Sequence, residues 1–345
     1  MLDWFTGKVG FDGNALRLNR LCEMTPEGDL VWQLERKSQI SGSYDSSIQI
    51  GRDAPTEEMI QASGLYNLLC NPVVMVISGN PTKFLQGHNV FGPTVSALAP
   101  LLKATVREFP EGIRPPDADS NQWPALMRTR VDITTSVNLA QHRLVHEWLR
   151  TAGNSTRSKH GRPMVSGDTV YWGKPSTRWT MKAYCKFCEL EAHPPKDKIL
   201  KDTLKEYCEG QLRLELCLRR PELKNRGTLD ENLVWEFMNK IQVGVAKIEV
   251  DEDMNNLNGI VGFTLAKWLN GKDVRFELNK RTFYRHRKII LEKTGVDISL
   301  EPQKKQFKRI NYDIDYLKNH EVNEIPSVLQ GYMFKPGTYP KWEAH

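Results

Sequence analysis

The sequence predicts an α+β fold, in which helices pack on one face of an antiparallel sheet and a smaller helical region follows at the C-terminus. Three observations lead to this prediction. Several segments alternate apolar and polar residues with the period of two that is typical of half-buried strands. Other segments carry apolar residues at helical spacing, and the last third of the chain combines helical spacing with many Lys and Arg residues.

The elements of the first half follow from local composition, taken in chain order. Strands are predicted where β-branched and apolar residues cluster or alternate, at Lys8–Phe11, Leu30–Leu34, Ser47–Ile50 and Val73–Ser78. Pro, Gly and Asp at 110–116 predict a loop. A helix is predicted over 138–152, and the polar Ser-, Arg- and Gly-rich stretch 154–167 predicts a second, longer loop.

Three further strands place charged side chains and a tyrosine on one face. Residues 129–134, 180–190 and 211–220 all alternate, most clearly the last, which has leucine at every second position from 212 to 218. If helices bury the apolar rows, the opposite side, named here the polar face, carries Arg130, Asp132, Tyr184, Lys186, Arg213 and Glu215. This pattern predicts a reaction surface. The alternative is a solvated sheet face with cross-strand ion pairs.

Chain length and composition limit the class of protein. With 345 residues, of which 39% are hydrophobic, the chain can bury a substantial core and is long enough for two domains. No apolar run approaches the roughly 18–20 residues that a membrane-spanning helix requires. The first residues, MLDWFTGKVGFDG, lack the basic start and apolar stretch of a signal peptide, which predicts a cytoplasmic protein with no membrane partner.

The six cysteines do not indicate a disulfide scaffold in a chain of this size. Cys185 and Cys188 form a C-x-x-C pair, but the next two cysteines, Cys208 and Cys217, have a much wider spacing than a zinc ribbon uses. The cysteine spacing therefore predicts reduced structural thiols and no zinc site.

Positive charge is concentrated near the C-terminus. The whole chain carries a formal charge of +6, whereas residues 263–319 contain 14 Lys and Arg against 7 Asp and Glu. A basic segment of this size predicts a polyanionic partner, most simply nucleic acid. A solvated charged surface is the alternative.

Residues 263–298 have the composition of a helix-turn-helix. One helix is predicted to end at Asn270-Gly271, and a basic amphipathic helix is predicted from Lys280 to Lys293, ended by Thr294-Gly295. The outward side of this second helix is predicted to bind DNA, as a recognition helix does, through Arg281, Tyr284, Arg285, Arg287 and Lys288. An ordinary basic surface helix would have a similar composition.

Four sequence segments together resemble one protein family. In chain order they are FLQGHNVFG at 84–92, RVDIT at 130–134, VYWGKPSTRWTMKAYCKFCEL at 170–190 and QLRLELCLR at 211–219. Their order and approximate spacing, over residues 75–220, are similar to those of the replication initiators of filamentous bacteriophages, the gene II protein class. Residues 267–298 also resemble the C-terminal region of that family.

The resemblance implies a rolling-circle DNA replication initiator that works in the bacterial host cytoplasm. Such a protein binds double-stranded DNA at the plus-strand origin, nicks one strand, and stays linked to the 5′ phosphate through a tyrosine. The released 3′ hydroxyl serves the host polymerase, a host helicase is a further expected partner, and the displaced single-stranded DNA is later rejoined. Mg²⁺ or Mn²⁺ is expected as cofactor. The alternative is a non-enzymatic protein that binds an origin or operator.

On this resemblance, residues 1–225 are predicted to form the catalytic nicking and strand-transfer domain, and residues 226–345 the basic DNA-binding region. A tyrosine suits the nucleophile role because its phosphoester can be reversed to reseal the strand. Tyr184 is the predicted nucleophile, with Lys186 steadying the departing charge. Tyr284 competes for the role, and three other tyrosines stay open as candidates, Tyr171, Tyr312 and Tyr316.

The metal ligands are predicted to be His88, Asp132 and Glu215, since carboxylates suit Mg²⁺ and one imidazole is compatible with Mn²⁺. The chain lacks the His-apolar-His pair of many rolling-circle initiators, and His88 could instead only cap its Gly-containing turn. Phosphate contacts are predicted for Arg130 and Arg213, whose alternative role is to hold the carboxylates, and for Lys174 and Arg178 in the segment GKPSTR.

Overall fold

A computed structural model describes residues 1–12, 16, 18–42, 46–62, 73–111, 113–114, 126–243, 257, 259–269, 271–294, 296–300 and 314–335. The strands within these ranges are β1 (Leu2–Asp12), β2 (Arg20–Met24), β3 (Leu30–Glu35), β4 (Ser38–Ser41), β5 (Ser47–Asp53), β6 (Val74–Gly79), β7 (Leu126–Asn138), β8 (Thr156–Arg157), β9 (Met164–Ser166), β10 (Thr169–Trp172), β11 (Trp179–Cys185), β12 (Gln211–Arg219) and β13 (Gln242–Val243).

The α-helices within the same ranges are α1 (Glu57–Ala62), α2 (Pro81–Gln86), α3 (Leu98–Arg107), α4 (His142–Ser155), α5 (Lys186–Ala192), α6 (Lys198–Cys208), α7 (Arg220–Leu223), α8 (Asn232–Met238), α9 (Gly259–Leu269), α10 (Lys280–Thr294), α11 (Ile314–Asn319) and α12 (Ser327–Gln330). A short 3₁₀ turn, Val95–Ala97, precedes α3. None of the helices in the described ranges has both the length and the apolar character needed to cross a bilayer.

Nine strands form one antiparallel sheet in the order β4-β5-β6-β1-β7-β12-β11-β10-β9. The central strand β7 pairs with β1 on one side and β12 on the other. Within the β7–β12 pair, Leu216 lies opposite Ile133 and Cys217 opposite Asp132, so the apolar and polar rows of the two strands coincide. The α+β prediction, with a large antiparallel sheet and helices, is confirmed.

The apolar face of the sheet forms one side of the main hydrophobic core. The leucines of β12 have no exposed side-chain surface, and neither do Val131 and Ile133 of β7. Apolar residues of α3, α4 and α8 belong to the same buried cluster, for example Leu101, Val145 and Phe237. The strict alternation in β12 places its leucines on one face, where they are buried together. Such burial stabilises the fold by about 25 cal/mol for each Å² of apolar surface removed from water.

Several predicted boundaries shift because of pairing within the sheet. Strand β7 continues to Asn138, because its last residues pair with β12, so the helix predicted over 138–152 begins only at His142. The strand predicted over 180–190 ends at Cys185, and its second half is helix α5, which buries Lys186 and Leu190 one turn apart. The loop predicted over 154–167 contains the short strands β8 and β9, which are bonded to β13 and β10 respectively. Part of the loop predicted at 110–116 lies outside the described residues.

Helices α9 and α10 have a hydrophobic core of their own. Phe283 and Ile290 of α10 are buried against α9, together with Leu265 and Trp268. The predicted helix-ending positions Asn270 and Gly295 lie outside the described residues, while Gly271 adopts the left-handed conformation, with φ of 86°, that glycine favours at helix ends.

Residues that precede and follow helices α9 and α10 in the chain are buried in the main hydrophobic core. Trp235 of α8 and Leu317 of α11 are buried in the main core, and so is Phe334. The backbone nitrogen of Asn138 also donates to the carbonyl of His320, which joins the C-terminal segment to the end of β7. The C-terminal segment therefore contributes to the main hydrophobic core as well.

Candidate active site

The segment FLQGHNVFG contains the last three residues of helix α2 and the tight turn that follows it. The helix ends at Gly87, whose φ of 85° is a conformation that glycine adopts without strain. The side-chain amide of Gln86 closes the turn by donating to the carbonyls of His88 at 3.2 Å and Phe91 at 2.6 Å. The amide oxygen of Gln86 accepts a hydrogen bond of 2.9 Å from the backbone nitrogen of Phe334. Gln86 therefore ties the turn to the C-terminal segment.

The imidazole of His88 is buried, and both of its nitrogens form hydrogen bonds to nearby backbone groups. The ring is 3% exposed and lies 4.5 Å from the ring of Phe91. Its Nδ1 accepts from the backbone nitrogen of Val90 at 3.4 Å, and its Nε2 donates to the carbonyl of Tyr332 at 3.3 Å. Burial lowers the pKa of His88 to about 4, which keeps the ring neutral. Both ring nitrogens are thus engaged, and neither Asp132 nor Glu215 is a hydrogen-bond partner of the ring.

Asn89, the next residue, connects the turn to the polar face. Its side-chain nitrogen donates to Oδ1 of Asp3 at 3.0 Å, and its side-chain oxygen accepts from Nζ of Lys186 at 2.9 Å. Its backbone carbonyl accepts from the guanidinium of Arg213 at 3.2 Å. The turn therefore reaches the charged residues through Asn89, a residue that sequence reasoning did not select.

Asp3 is a further member of the polar face that sequence reasoning missed. Leu2 lies opposite Ile133 and Trp4 opposite Asp132, so β1 carries one additional residue, Asp3, at a β-bulge. Its carboxylate is 9% exposed and also accepts a hydrogen bond of 2.9 Å from Asn80. An alternation rule could not find Asp3, because the bulge interrupts the period of two.

Asp132 and Glu215 lie on the central strands β7 and β12 and are 1% and 4% exposed. Arg130 donates two hydrogen bonds to the carboxylate of Asp132, one of them of 2.8 Å from Nε. Lys182, directly opposite Glu215 on β11, forms an ion pair with it at 2.8 Å. Cross-strand ion pairing therefore does occur, between the buried carboxylate of Glu215 and Lys182, whose side chain is 32% exposed.

The electrostatic environment of Glu215 favours its protonated form. Burial is the largest cause, the negative charges of Asp3 and Asp132 add to it, and Lys182 opposes both, so the pKa of Glu215 is raised to about 7. A carboxyl group with this pKa can accept and release a proton near neutral pH, as a general base must.

Replacing Glu215 by glutamine should change how the free energy of unfolding depends on pH. Because the pKa of Glu215 is raised from 4.5 to about 7 on folding, its favourable contribution at low pH is lost as the pH rises through this window. The variant mimics the protonated acid, so its stability relative to the unmodified chain should increase across the window by on the order of 2 kcal/mol. Urea unfolding in chelator at about pH 5 and about pH 8 measures this, and parallel pH profiles would contradict it.

The carboxylates of Asp3, Asp132 and Glu215 form a donor set that suits a hard divalent cation. They lie on neighbouring strands, and the charges of Asp3 and Asp132 raise the pKa of Glu215, which shows that the three carboxylates repel one another. Within the described residues their oxygens do not all come within 4.8 Å, and the predicted combination of His88, Asp132 and Glu215 does not do so either. Arg130 and Lys182 already neutralise two of the carboxylates. The three carboxylates therefore have the ligand chemistry that suits Mg²⁺ or Mn²⁺, but their present spacing is wider than one bound ion requires.

Tyr184 is half-buried on β11 with its hydroxyl pointing at Glu215. The hydroxyl donates to Oε2 of Glu215 at 3.4 Å, and the ammonium of Lys182 lies 5.2 Å from the ring centre. Burial, followed by the charge of Glu215, raises the pKa of Tyr184 well above its usual value of 10. The raised pKa keeps the phenol protonated near neutral pH, and the carboxyl group of Glu215 is the acceptor of its hydrogen bond.

Lys186 and Arg213 are buried structural partners of the turn. Lys186 is fully buried and bound to Asn89 and, at 2.6 Å, to Glu189, and burial lowers its pKa. Arg213 is 2% exposed and donates to the carbonyls of Asn89 and Val90 and to Thr134. For either side chain to reach a DNA phosphate, these hydrogen bonds would first have to break.

The other predicted phosphate-binding residues outside helix α10 are more exposed to solvent. The side chain of Arg130 is 43% exposed although it is paired with Asp132. Arg178 is 46% exposed and forms an ion pair of 3.0 Å with Glu222. Lys174 is exposed, with its ammonium 4.6 Å from the ring centre of Tyr171.

Helix α10 presents a basic stripe to solvent. Four exposed residues at positions i, i+3, i+4 and i+7 share one side of the helix, Arg281, Tyr284, Arg285 and Lys288. Arg287, predicted with them, is instead half-buried and bonded to Asp297 at 2.8 and 2.9 Å. His286 is buried and hydrogen-bonded to Thr264 at 2.9 Å, which anchors α10 on α9.

Together the fold and the site define a class, an α+β protein that combines a buried tyrosine–carboxylate face with a small basic helical unit. Residues 1–255 match the family model described as the N-terminal part of the phage replication-associated protein, the gene II product. The chain belongs to this family, which confirms its resemblance to the filamentous phage replication initiators.

Individual relatives match over different lengths. The replication-associated protein of Enterobacteria phage I2-2 is 29% identical over 360 residues, covering 99% of this chain and 95% of the relative. The replication-associated proteins of Salmonella phage IKe and Enterobacteria phage M13 are each 31% identical, covering 34% and 44% of this chain and 27% and 41% of their own lengths.

Proposed function

We propose that this chain initiates phage DNA replication by nicking the plus strand of a replication origin and later rejoining the displaced strand. The observation that carries the proposal is the contact of the Tyr184 hydroxyl with Glu215, whose pKa of about 7 suits a base. The membership of the chain in the family of phage replication-associated proteins supplies the biological setting.

In the proposed cleavage step, the oxygen of Tyr184 attacks the scissile phosphorus while its proton passes to Oε2 of Glu215. The bond to the 3′ oxygen of the leaving strand breaks and this oxygen takes up a proton from water, which leaves a 5′ phosphotyrosine and a free 3′ hydroxyl. The phosphotyrosine conserves the energy of the phosphodiester, so attack by a 3′ hydroxyl can reverse the step and seal the strand. This reversibility is what joining of a displaced strand requires.

Asp3 and Asp132 are the residues that would hold Mg²⁺ or Mn²⁺ in this proposal, and Glu215 beside them serves as the base. Such an ion polarises the scissile phosphate and neutralises charge that develops on it. We base the metal site on carboxylates because both ring nitrogens of His88 are engaged in its turn. Lys186 and Arg213 act as positioning residues that hold Asn89 and its turn against the polar face.

The DNA contacts are proposed to be electrostatic and divided between two surfaces. The basic stripe of α10 would bind the duplex origin, and the exposed cations Arg130, Lys174 and Arg178 would bind the backbone near the nick. A replication initiator of this kind acts in the bacterial cytoplasm, where a host helicase would unwind the duplex and a host polymerase would extend the 3′ end.

Incubation with supercoiled DNA that carries the origin, in Mg²⁺ or Mn²⁺, tests the proposal. The expected product is an open circle with the chain attached to the 5′ end of the nicked strand. A second candidate function, a non-enzymatic origin- or operator-binding protein, is favoured by the fact that Arg130 and Lys182 already pair with two of the carboxylates. Supercoils that stay intact while the protein is bound to them would establish this second function.

Replacing Arg285 by alanine should weaken DNA binding and lower its salt dependence. Each lost phosphate contact should reduce the slope of log K against log salt by about 0.9. The matched control is Arg287→Ala on the same helix, because Arg287 is engaged by Asp297. We expect this control to lower stability and leave the salt slope unchanged. Binding isotherms at several salt concentrations measure both variants, and equal slopes for Arg285→Ala and the unmodified chain would exclude Arg285 as a phosphate contact.

A further inference from the structure

Cys185, Cys188 and His146 come together at the junction between β11 and α5. Their ligand atoms, two sulfurs and one ring nitrogen, all lie within 4.8 Å of one another. Two thiolates and an imidazole are the donors that Zn²⁺ prefers in proteins. We propose that these three residues bind a zinc ion, with water in the fourth position.

The geometry of the three side chains supports a common ligand. Nε2 of His146 lies 3.2 Å from Sγ of Cys188. Cys185 is the last residue of β11 and is 2% exposed, while Cys188 follows in the first turn of α5 and is half-buried. The short C-x-x-C spacing lets both sulfurs face one point, as it does in structural zinc sites.

The carboxylate of Asp168 lies near the nitrogen of His146 that faces away from the cysteines, a position that a carboxylate commonly occupies in zinc proteins. Oδ1 of Asp168 is 3.7 Å from Nδ1 of His146, on the opposite side of the ring from the cysteines. In zinc sites such a carboxylate orients the histidine and selects the tautomer whose other nitrogen faces the metal. In this structure Asp168 is 74% exposed and is an ion-pair partner of His146 without a hydrogen bond to its ring.

The zinc ion would connect three elements that surround the proposed nucleophile. Cys185 lies between Tyr184 and Lys186 in the chain, and the strand alternation places it on the opposite side of β11 from Tyr184. Metal binding would tie the end of β11 and the start of α5 to α4, which carries His146.

Cysteine spacing alone predicts inert thiols at this place, because Cys208 and Cys217 do not supply a second pair. The third ligand is a histidine on α4, which the tertiary structure brings to the pair. Cys208 is buried in a different cluster, beside Leu190 and Leu204, and so takes no part in the site.

Metal analysis of the full chain, purified under reducing conditions without chelator, tests the inference. We expect about one zinc per chain, and titration of the metal-free chain with Co²⁺ should produce a thiolate-to-cobalt charge-transfer band. Cys188→Ser and His146→Ala should each lose the bound zinc and the band. Two matched controls should keep both, Cys22→Ser at an exposed cysteine and His142→Ala, whose ring is bonded to Glu209 and stacked on Phe187.

Three results would overturn the proposal. They are absence of zinc and of the cobalt band in the unmodified chain, retention of zinc by Cys188→Ser, and recovery of a Cys185–Cys188 disulfide from the reduced preparation. The cobalt titration uses the unmodified chain, so it decides the question even if a variant fails to fold. Neither measurement involves DNA, so a chain that binds zinc but does not nick DNA would disprove the proposed function and leave this inference standing.

Discussion

Tyr184→Phe should abolish the covalent attachment of the protein to origin DNA and lower strand cleavage by at least about 10³-fold, the order of loss seen when a catalytic nucleophile is removed. The substitution removes only the hydroxyl that contacts Glu215 at 3.4 Å. The ring and its place in β11 remain, so folding and DNA affinity should be unchanged. Gel analysis of the adduct on labelled origin DNA measures the effect.

The control for this experiment is Tyr171→Phe on the neighbouring strand β10. Tyr171 lies opposite Lys182 and packs against Lys174, so it is a strand tyrosine in a comparable cationic setting. Its variant should form the adduct normally. If Tyr184→Phe still forms an adduct, mass-spectrometric mapping of the joined tyrosine would assign the nucleophile to another residue, with the exposed Tyr284 of α10 the first to examine.

Asp132→Asn should lower cleavage by about 10²-fold at a fixed Mn²⁺ concentration and raise the concentration of Mn²⁺ needed for half-maximal activity. The carboxylate is 1% exposed on the central strand, and the amide that replaces it is a weaker ligand with no charge. The change also leaves Arg130 without its charged partner, but this guanidinium is 43% exposed, so a loss of stability of only about 1 kcal/mol is expected. Cleavage measured over a series of Mn²⁺ concentrations separates the two effects, because excess metal restores binding but not folding.

Asp53→Asn is the matched control for Asp132→Asn. Asp53 is also a strand aspartate paired with a cation, Lys8 at 2.8 Å, but it lies on β5 with half its side chain exposed. Its loss should leave the metal dependence unchanged. A metal dependence of Asp132→Asn equal to that of the unmodified chain would remove Asp132 from the metal site, and Asp3→Asn would then show whether Asp3 holds the ion.

Local patterns predicted the strands of the polar face well, because side-chain direction in a strand depends only on position. Leucine at every second residue of β12 predicts a buried row and an opposite polar row, and the structure contains both. The same rule failed for residues 186–190, where a helix begins, since C-x-x-C and the buried Lys186 and Leu190 have helical spacing.

Which polar residues meet was not predictable from such patterns. His88 was the conspicuous residue of its turn, yet Gly87 and Gln86 direct its ring into the protein and leave Asn89 to contact Asp3 and Lys186. Asp3 joined the polar face only because a bulge in β1 interrupts its alternation. Hydrogen bonds between distant segments set both outcomes.

By itself, the sequence determined the α+β class, the polar rows of the central strands, the basic helix and the family to which the chain belongs. The tertiary structure alone decided the order of the nine strands, the position of Asp3 near Asp132 and Glu215, and the approach of His146 to Cys185 and Cys188. The physical reason is that periodicity follows from local backbone geometry, whereas a site depends on pairings between residues far apart in the chain.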